Sequence, residues 1–236
     1  IYSLLKKIIE DNYMTNLTLI IPTKKEAESL PTFLKELENY DFNKLIVLQE
    51  EDIETQKAIA EIDKIDILVQ KNPGYGNALK EGIVATKTEY CCIINADGSM
   101  NPKYLKLMLD KCKLHDLVFC SRYEEGGGSD DDDIVTFIGN KIFTFIGNLF
   151  FRLNISDILY TYIIGKTSSF KSLMLKYNDF RICVEIPIKA KKRKMKYTTL
   201  PSYERSRIGG KKKVNAIKDG LLILFAMIKL FLLKQK

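Results

Sequence analysis

The sequence predicts an α/β fold in which a mostly parallel central sheet is flanked by helices. Short apolar runs alternate with segments of helical periodicity over the first 120 residues, and the first run is closed by Pro22. Strands that alternate with helices form βαβ units, whose strands are parallel. The chain has 236 residues, of which 46% are hydrophobic and 28% charged. These values fit one ordered globular domain with an appendage.

Five apolar runs are predicted to be the strands of this sheet, and four segments between them to be helices. The helix over residues 26–40 is justified by Leu30, Phe33, Leu34 and Leu37, which recur on one face. The predicted strands are residues 17–21, 44–48, 65–70, 90–94 and 117–120, and the other predicted helices are residues 54–62, 77–86 and 102–114.

The alternation ends at residues 124–133, where three glycines and four aspartates predict a mobile acidic loop. Two apolar helices are predicted beyond it, over residues 134–153 and 220–233. The first is either buried or lies in a membrane interface. The second would span about 21 Å, less than the roughly 30 Å of a bilayer core. We therefore predict a globular domain over residues 1–215 and an interfacial or packed apolar helix within residues 216–236.

Histidine and cysteine usage excludes several classes of site. His115 is the only histidine, which argues against a His-rich metal site and a Ser-His-Asp triad. The five cysteines form no Cys-x-x-Cys pair and are interpreted as reduced core thiols of a cytoplasmic protein. Residues 1–16 lack the sustained apolar stretch of a secretory signal, which fits the same compartment.

The positive charge of the chain is concentrated near its C-terminus. Residues 189–213 hold eleven Lys and Arg against one acid, Glu204, so this window contributes +10 and the rest of the chain −3. Such a cluster indicates an anionic partner, namely a phosphate group, an anionic membrane or nucleic acid. Only Tyr197 and Tyr203 are interleaved with the cations, which makes nucleic acid the least favoured of the three.

The predicted strand at residues 90–94 is followed by Asn95-Ala96-Asp97-Gly98. In open α/β sheets the carboxyl ends of the strands form the ligand-binding edge. One carboxylate there, together with a substrate diphosphate, is a typical way to hold Mg²⁺ or Mn²⁺. Taken alone, however, Asp97-Gly98 is equally typical of a turn.

Several segments, in order along the chain, resemble the family 2 glycosyltransferases of the Rossmann-like GT-A fold. Their sequences are Leu-Ile-Ile-Pro-Thr-Lys-Lys-Glu-Ala-Glu at residues 19–28, Gly-Tyr-Gly-Asn-Ala-Leu-Lys-Glu-Gly at 74–82, Asn-Ala-Asp at 95–97 with Pro102, and Ser-Arg at 121–122 before three glycines. Residues 202–215 are similar to the Arg-x-x-Gly-x-Ser-Lys segment of the polyprenyl-phosphate sugar transferases within that family. The resemblance covers about residues 17–215.

This resemblance implies a nucleotide-diphospho-sugar site that uses Mg²⁺ or Mn²⁺. Pro22, Thr23 and Glu26 would line the nucleoside pocket, Asp97 would hold the metal, and the helix start at Gly76 would offer N–H groups to the diphosphate. On the acceptor side, Asp157-Ile-Leu-Tyr-Thr-Tyr stands where the family has Asp-x-x-Ser-Gly-Phe. Two residues assigned to the donor site also depart from the family pattern. These are Gln49, where an acidic pair is usual, and Asn95, where the metal motif usually has Asp.

For the acceptor, the resemblance implies a polyprenyl phosphate or a glycan hydroxyl in the synthesis of surface polysaccharide or glycoconjugate. A hydroxyl needs a carboxylate base, for which Asp157 is the first candidate and Glu185 the second. Glu185 is more simply explained by an ion pair with Lys189 one helical turn away. A phosphate needs charge neutralisation instead, which is assigned to the cations Arg122, Arg205, Arg207 and Lys212.

The prediction is therefore a membrane-peripheral, metal-dependent glycosyltransferase at the inner face of the cell membrane. Its partners would be a nucleotide-diphospho-sugar, a polyprenyl phosphate or glycan acceptor and the membrane surface, with no nucleic acid and with homo-oligomerisation possible through residues 134–153. The alternative is a catalytically degenerate protein of the same fold that binds nucleotide sugars or membranes. Gln49 and Asn95 motivate that alternative.

Overall fold

The computed structural model describes residues 16–210 and 212–233. The segment considered for a signal sequence, and Lys211, Lys234 and Lys236, lie outside these residues. The strands are β1 Leu17–Pro22, β2 Asn43–Leu48, β3 Asp66–Val69, β4 Tyr90–Ile93, β5 Leu117–Ser121, β6 Gly128–Ser129, β7 Ile163–Lys166, β8 Tyr197–Pro201 and β9 Tyr203–Glu204. Seven of them form one sheet in the order β3-β2-β1-β4-β7-β5-β8, and β6 pairs with β9.

The helices lie between these strands and after them. They are α1 Leu30–Leu37, α2 Ile53–Ala58, α3 Tyr75–Ala85, α4 Leu105–Lys111 after a 3₁₀ turn at Pro102–Tyr104, α5 Ile134–Phe151, α6 Thr167–Ser172, α7 Ile182–Lys192 and α8 Ala216–Leu232. All five predicted strands are confirmed. The first helix is shorter than predicted, because residues 26–29 form a turn that the Glu26 N–H fixes against Thr55 Oγ1.

β7 is the one strand of the sheet that runs antiparallel to its neighbours, and the sequence analysis did not predict it. It lies between β4 and β5 and pairs with both. Gly165 permits this close fit, because a Cβ there would lie 2.4 Å from Leu117 Cδ2 and 2.5 Å from the Asp116 carbonyl oxygen. The other strands of the sheet remain parallel to one another, so their carboxyl ends share one edge.

The core lies on both faces of this sheet. Alternate residues of β1 point to opposite faces. Leu19 and Ile21 pack with α1 and α4, while Ile20 packs with α3 and α7. Burial on both sides explains why the strands read as continuous apolar runs rather than as alternating ones. The five cysteines are buried and unpaired, as predicted for core thiols.

A third cluster attaches the C-terminal helix to the domain. α8 contributes Ile223, Ala226, Met227 and Leu230, which pack against α7 and the segment that follows α5. Rings at the ends of α5 and α8 also meet, since Phe231 lies 5.7 Å from Phe150 between ring centroids. The predicted apolar helix is thus packed on the domain along one face.

The outward faces of α5 and α8 are apolar and exposed. We call them the apolar platform, which comprises Ile134, Val135, Phe137, Ile138, Ile142, Phe145, Leu149 and Phe150 of α5 and Ile217, Leu221, Phe225, Ile228, Phe231 and Leu232 of α8. Within the described chain, α5 is the one helix whose length and composition would suffice to cross a membrane, and 17% of it is buried. So many exposed apolar side chains on two neighbouring helices are typical of an interaction site.

Candidate active site

A cavity of about 690 Å³ opens at the edge of the sheet where the parallel strands end. At one end it is polar and lined by residues that follow β1, β2 and β4. At the other end it continues between α5 and α8, where its walls are mostly apolar. Its apolar lining residues are Val135, Gly139, Phe143, Ile217, Gly220 and Ile223, and Thr136, Asn140, Lys218 and Asp219 of the same helices also line the cavity.

Nine of the twelve predicted site residues line this cavity. They are Pro22, Thr23, Glu26, Gln49, Asn95, Asp97, Arg122, Arg207 and Lys212. The topology explains the grouping, because β1, β2 and β4 are adjacent and parallel and so bring the residues after them to one place. Gly76, Asp157 and Arg205 do not line the cavity.

Asp97 lies in the turn that follows β4. Its Oδ1 accepts hydrogen bonds from the Ser99 N–H at 3.1 Å and the Ser99 hydroxyl at 2.8 Å. Its Oδ2 faces the cavity and lies 3.7 Å from Arg207 Nη1. One carboxylate oxygen is therefore fixed by the turn, and the other is directed at a cation.

Asn95 is held by a tyrosine that the sequence analysis did not single out. The Tyr75 hydroxyl lies 3.3 Å from Asn95 Oδ1 and 2.7 Å from Thr161 Oγ1. Its ring stacks on Phe180 at 5.0 Å, and burial raises the pKa of the phenol well above its usual range. Tyr75 is thus a neutral hydrogen-bonding group within the cavity. In the sequence, the feature that points to Tyr75 is its position between Gly74 and Gly76, at the start of α3.

Asp157 is not placed as the catalytic base that was predicted. It is buried, and its carboxylate accepts two bonds from the Arg122 guanidinium, at 2.7 and 3.1 Å, and one from the Asn140 amide. Arg122 in turn reaches Glu204 at 3.0 Å. A carboxylate whose oxygens are occupied in this way, and which does not face the cavity, positions Arg122 rather than accepting a proton from a substrate.

Burial and ion pairing have opposite effects on the pKa values of Arg122 and Glu204. Burial would lower the pKa of the Arg122 guanidinium, but the Asp157 and Glu204 carboxylates outweigh it and hold that pKa well above its usual range. Burial raises the pKa of Glu204, while Arg122 and the Ser129 hydroxyl lower it in part. Arg122 is therefore a fixed cation at the floor of the cavity.

Gly76 has a packing role rather than the predicted phosphate contact. A Cβ there would lie 2.5 Å from the Tyr177 carbonyl oxygen and 2.8 Å from the Asn178 carbonyl carbon. The Asn77 N–H donates to the Asn178 carbonyl at 3.3 Å, so the start of α3 is covered by this loop. Gly74 and Tyr75 line the cavity in its place.

Glu185 fixes the loop that covers Gly76. It is buried and accepts hydrogen bonds from the N–H groups of Lys176 and Tyr177 at 2.9 Å. It also pairs with Lys189 at 2.7 Å, as the alternative interpretation of its spacing predicted. The second candidate base is therefore structural.

A basic strap, defined as residues 205–210 and 212–215, crosses the polar end of the cavity. Arg207 binds Asp131 through two bonds of 3.0 and 2.6 Å, and Lys213 pairs with Glu26. The Ile208 N–H donates to the Asp97 carbonyl at 2.8 Å. Arg207 and Lys213 are thus held beside Asp97 and Glu26, and both line the cavity.

Arg205 anchors the strap outside the cavity. Its guanidinium makes bonds of 2.9 and 3.0 Å to the two carboxylate oxygens of Glu36 on α1, and one of 2.7 Å to the Gly98 carbonyl. Because Arg205 is held by Glu36 and Gly98 and does not line the cavity, it is not placed to bind a ligand there. The prediction that it binds the acceptor phosphate is therefore replaced by a structural role.

The acidic loop before α5 is tied down, contrary to the prediction of a mobile segment. Asp130 accepts from the Tyr203 hydroxyl at 2.6 Å, Asp131 binds Arg207, and Asp133 pairs with Lys212 at 2.9 Å. Among the described residues no group of three His, Cys, Asp or Glu side chains is arranged to hold a metal ion. Asp131 and Asp133 pair with cations of the strap, while Asp130 and Asp132 accept from hydroxyl groups.

Comparison with known proteins decides the family. The model of glycosyl transferase family 2 matches residues 18–174. The chain belongs to glycosyl transferase family 2. This glycosyltransferase is 25% identical over 215 residues to glycosyltransferase AglJ of Haloferax volcanii, a match that covers 89% of the chain and 70% of AglJ. It is 32% identical over 103 residues to an uncharacterized glycosyltransferase of Mycobacterium tuberculosis, covering 43% of the chain and 46% of that protein.

Solved structures support the fold. Glucosyl-3-phosphoglycerate synthase of Mycobacterium tuberculosis, determined with Mn²⁺, UDP and phosphoglyceric acid, matches this glycosyltransferase with a TM-score of 0.71 at 12% identity. The match covers 98% of the chain and 84% of the synthase. The complex of that synthase with Mn²⁺, UDP-glucose and phosphoglyceric acid gives a TM-score of 0.72 at 9% identity, covering 98% of the chain and 85% of the synthase. The predicted α/β class with a mostly parallel sheet is thereby confirmed.

Proposed function

We propose that this glycosyltransferase moves a sugar from a nucleotide-diphospho-sugar to a polyprenyl phosphate at a membrane surface, with Mg²⁺ or Mn²⁺ at the donor site. The observation that carries the proposal is the single cavity whose polar end holds Asp97 and Arg207 and whose apolar end lies between α5 and α8. The polar end suits the nucleotide-diphospho-sugar, and the apolar end suits the hydrocarbon chain of the acceptor.

The donor end supports a bound divalent cation. Asp97 is the one acidic residue of the Asn-Ala-Asp turn, and its Oδ2 faces the cavity. Mg²⁺ is commonly bound through one or two carboxylates together with substrate phosphates, so a single carboxylate suffices when the donor supplies the rest. When bound, the metal would neutralise the charge that develops on the leaving diphosphate. The structural neighbours with Mn²⁺ and UDP fit this assignment.

The acceptor end favours a phosphate nucleophile over a glycan hydroxyl. A phosphate monoester has a second pKa of about 6 and is largely dianionic at neutral pH, so it needs cations rather than a base. Arg122, Arg207 and Lys212 line the cavity and could supply them. A hydroxyl would need a carboxylate base, but Asp131, Asp132 and Asp219, which line the cavity beside α5 and α8, already accept hydrogen bonds from Arg207, from the Thr136 hydroxyl and from the Asn215 N–H.

The membrane assignment rests on the apolar platform, which adjoins the apolar end of the cavity. A prenyl chain leaving between α5 and α8 would emerge onto this surface. We propose that the platform lies in the inner leaflet of the cell membrane, so that the acceptor enters from the lipid. A homodimer that covers the platform is the competing arrangement, and it would leave the prenyl chain without an exit to lipid.

The donor is identified first by thermal shift with UDP, GDP, dTDP and CDP sugars, with and without Mn²⁺. We expect one donor to stabilise the protein in a metal-dependent way. The Asp97→Asn variant should lose this metal dependence, while Asp110→Asn, which changes an exposed carboxylate on α4, should keep it. A protein that no donor stabilises would favour the catalytically degenerate alternative.

Turnover is then tested in detergent with that donor, Mn²⁺ and a polyprenyl phosphate. We expect a lipid-linked sugar to form, and Asp97→Asn to reduce its rate at least 100-fold. Transfer to a soluble glycan with no lipid-linked product would contradict the polyprenyl acceptor. Release of free sugar alone would contradict the transfer itself.

A further inference from the structure

A second cavity, of about 570 Å³, lies at the opposite edge of the sheet from the active site. We call it the basic pocket. It is lined by residues just before β5 and at the start of β8, and by the segment that follows α5. Its lining residues are His115, Leu153, Asn154, Lys191, Lys194, Met195, Lys196, Tyr197, Thr198 and Thr199.

The charge of the basic pocket is not compensated by its own walls. Lys191, Lys194 and Lys196 are exposed, and no ion pair is seen for them within residues 16–210 and 212–233. None of the described lining residues is acidic. Asp116 is the acid beside the pocket. Its carboxylate accepts hydrogen bonds from the backbone N–H of Lys196 at 2.9 Å and from Lys166 Nζ at 3.5 Å. A concave surface lined by one sign of charge attracts an anion.

The basic pocket adjoins the apolar platform. Leu153 lies two residues beyond the end of α5, and its carbonyl accepts a hydrogen bond from the Tyr197 hydroxyl. Lys192 donates to the carbonyls of Leu230 and Leu233 at the end of α8. The exposed side chains nearest these ends, Leu149, Phe150 and Leu232, are more than half exposed. The apolar platform and the basic pocket therefore lie next to each other.

We propose that the basic pocket binds the phosphate headgroup of an anionic phospholipid when the apolar platform enters the bilayer. This deepens the proposed function, on which it rests for the presence of a membrane. Lysines at the rim of an inserted apolar surface lie at headgroup depth, where the anionic leaflet attracts them. Thr198 and Thr199 of β8 also line the pocket.

A lipid fits the observations better than nucleic acid, which also presents phosphates. Two rings lie in the pocket lining: His115, whose Nδ1 is 2.9 Å from the Lys111 carbonyl oxygen, and Tyr197, which already packs edge-on against Phe119 at 5.5 Å. They offer no series of ring faces on which successive bases could stack. The apolar border on the other side has no counterpart in a nucleic acid.

The inferred site also sets how the protein lies on the membrane. The apolar end of the active-site cavity includes Val135 at the start of α5, whereas the basic pocket adjoins the end of the same helix. α5 has 18 residues and is therefore about 27 Å long. A headgroup held at one end of this helix would keep the acceptor opening at the other end against the bilayer.

The test measures co-flotation of the full chain with vesicles of phosphatidylcholine alone or with 30% phosphatidylglycerol. Each lysine near an anionic surface raises the partition coefficient about fivefold, so we expect the Lys191→Gln/Lys194→Gln/Lys196→Gln variant to bind the anionic vesicles about 100-fold more weakly than the wild type. The matched control is Lys57→Gln/Lys64→Gln/Lys106→Gln, which removes the same charge from exposed positions on other elements. We expect it to lose less than threefold.

Equal losses in the two variants, or no loss in either, would overturn the inference. Wild-type binding that does not depend on phosphatidylglycerol would also overturn it. So would displacement from the vesicles by an equimolar 20-nucleotide RNA, since the pocket would then take a nucleic-acid backbone. Activity in detergent is measured for both variants, and we expect it to stay at the wild-type level. Failure of the proposed transfer reaction would appear as missing activity of the wild type in detergent. Failure of the lipid-binding inference would appear only in the co-flotation measurement.

Discussion

At the scale of single residues, a substitution in the Arg122–Asp157 pair distinguishes a catalytic from a positioning role for Asp157. Asp157→Asn keeps the shape of the side chain but leaves Arg122 buried with one carboxylate partner. Removing one partner of a buried ion pair typically costs 3–5 kcal/mol, and Glu204 retains part of the compensation. We therefore expect a loss of about 3 kcal/mol in the free energy of unfolding.

The measurement is urea unfolding of Asp157→Asn beside Asp179→Asn, whose carboxylate is more exposed and should cost less than about 1 kcal/mol. An Asp157→Asn protein with wild-type stability and no turnover would restore Asp157 as the catalytic base.

Gly76 and Gly139 form a matched pair for testing close packing. A Cβ at Gly76 would meet backbone atoms of residues 177–179 that cannot move aside independently, whereas a Cβ at Gly139 would meet nothing within 4 Å. We expect Gly76→Ala to destabilise the protein by about 2 kcal/mol, which is typical of overpacking. Gly139→Ala should stabilise it by about 0.5–1 kcal/mol, because alanine favours a helix. Thermal unfolding of the two variants measures the effect. Shifts of Tm with the same sign in both variants would contradict this packing.

At the scale of elements, α5 begins with a cap that is sensitive to pH. Asp133 accepts from the Thr136 N–H at 2.9 Å and Thr136 Oγ1 accepts from the Asp133 N–H at 3.1 Å, which is a reciprocal capping arrangement. The Thr136 amide and the Lys212 ammonium lower the pKa of Asp133 from 3.8 to about 2. Because the folded pKa is the lower one, the cap stabilises the fold above about pH 4 and fades as the pH falls toward 2.

We expect Asp133→Ala to lower the free energy of unfolding by about 1 kcal/mol at pH 7, as is usual for loss of an N-cap. The difference from the wild type should shrink at pH 3. Urea unfolding at both pH values measures it, and Asp110→Ala serves as the control for a generic loss of negative charge. A difference that grew on acidification would contradict the capping role.

The elements also indicate where sequence reasoning succeeds. β1, β2 and β4 are buried, mostly apolar runs, and the polar residues after them were correctly gathered into one cavity. β7 was missed because only Ile163 and Ile164 of its four residues are apolar, and its place in the sheet depends on partners about 46 and 73 residues away. Asp157 and Arg205 were misassigned because their long-range partners, Arg122 and Glu36, cannot be read from local sequence.

At the scale of the whole molecule, the basic strap joins the last third of the chain to the donor site. Arg207 lies 3.7 Å from the Asp97 oxygen that faces the cavity, so its charge opposes a cation at that oxygen. We expect Arg207→Gln to tighten Mn²⁺ binding about tenfold in the absence of donor, since unit charges this close interact by at least about 1 kcal/mol even in water.

Titration of free Mn²⁺ by electron paramagnetic resonance measures this affinity. Arg205→Gln is the control, because that guanidinium pairs with Glu36 outside the cavity and its removal should leave Mn²⁺ binding unchanged. Unchanged or weaker Mn²⁺ binding by Arg207→Gln would show that the strap does not compete with the metal.

The central position of β7 constrains the order of events during synthesis on the ribosome. β5 ends at Ser121, and both strands that flank it, β7 and β8, emerge later. A nascent chain that ends before residue 163 therefore exposes β5 as an unpaired edge, while α5 has emerged and α8 has not. The helix that forms most of the apolar platform thus emerges before the sheet is complete, and under the proposed membrane binding early contact with lipid would shield it while the remaining strands are made.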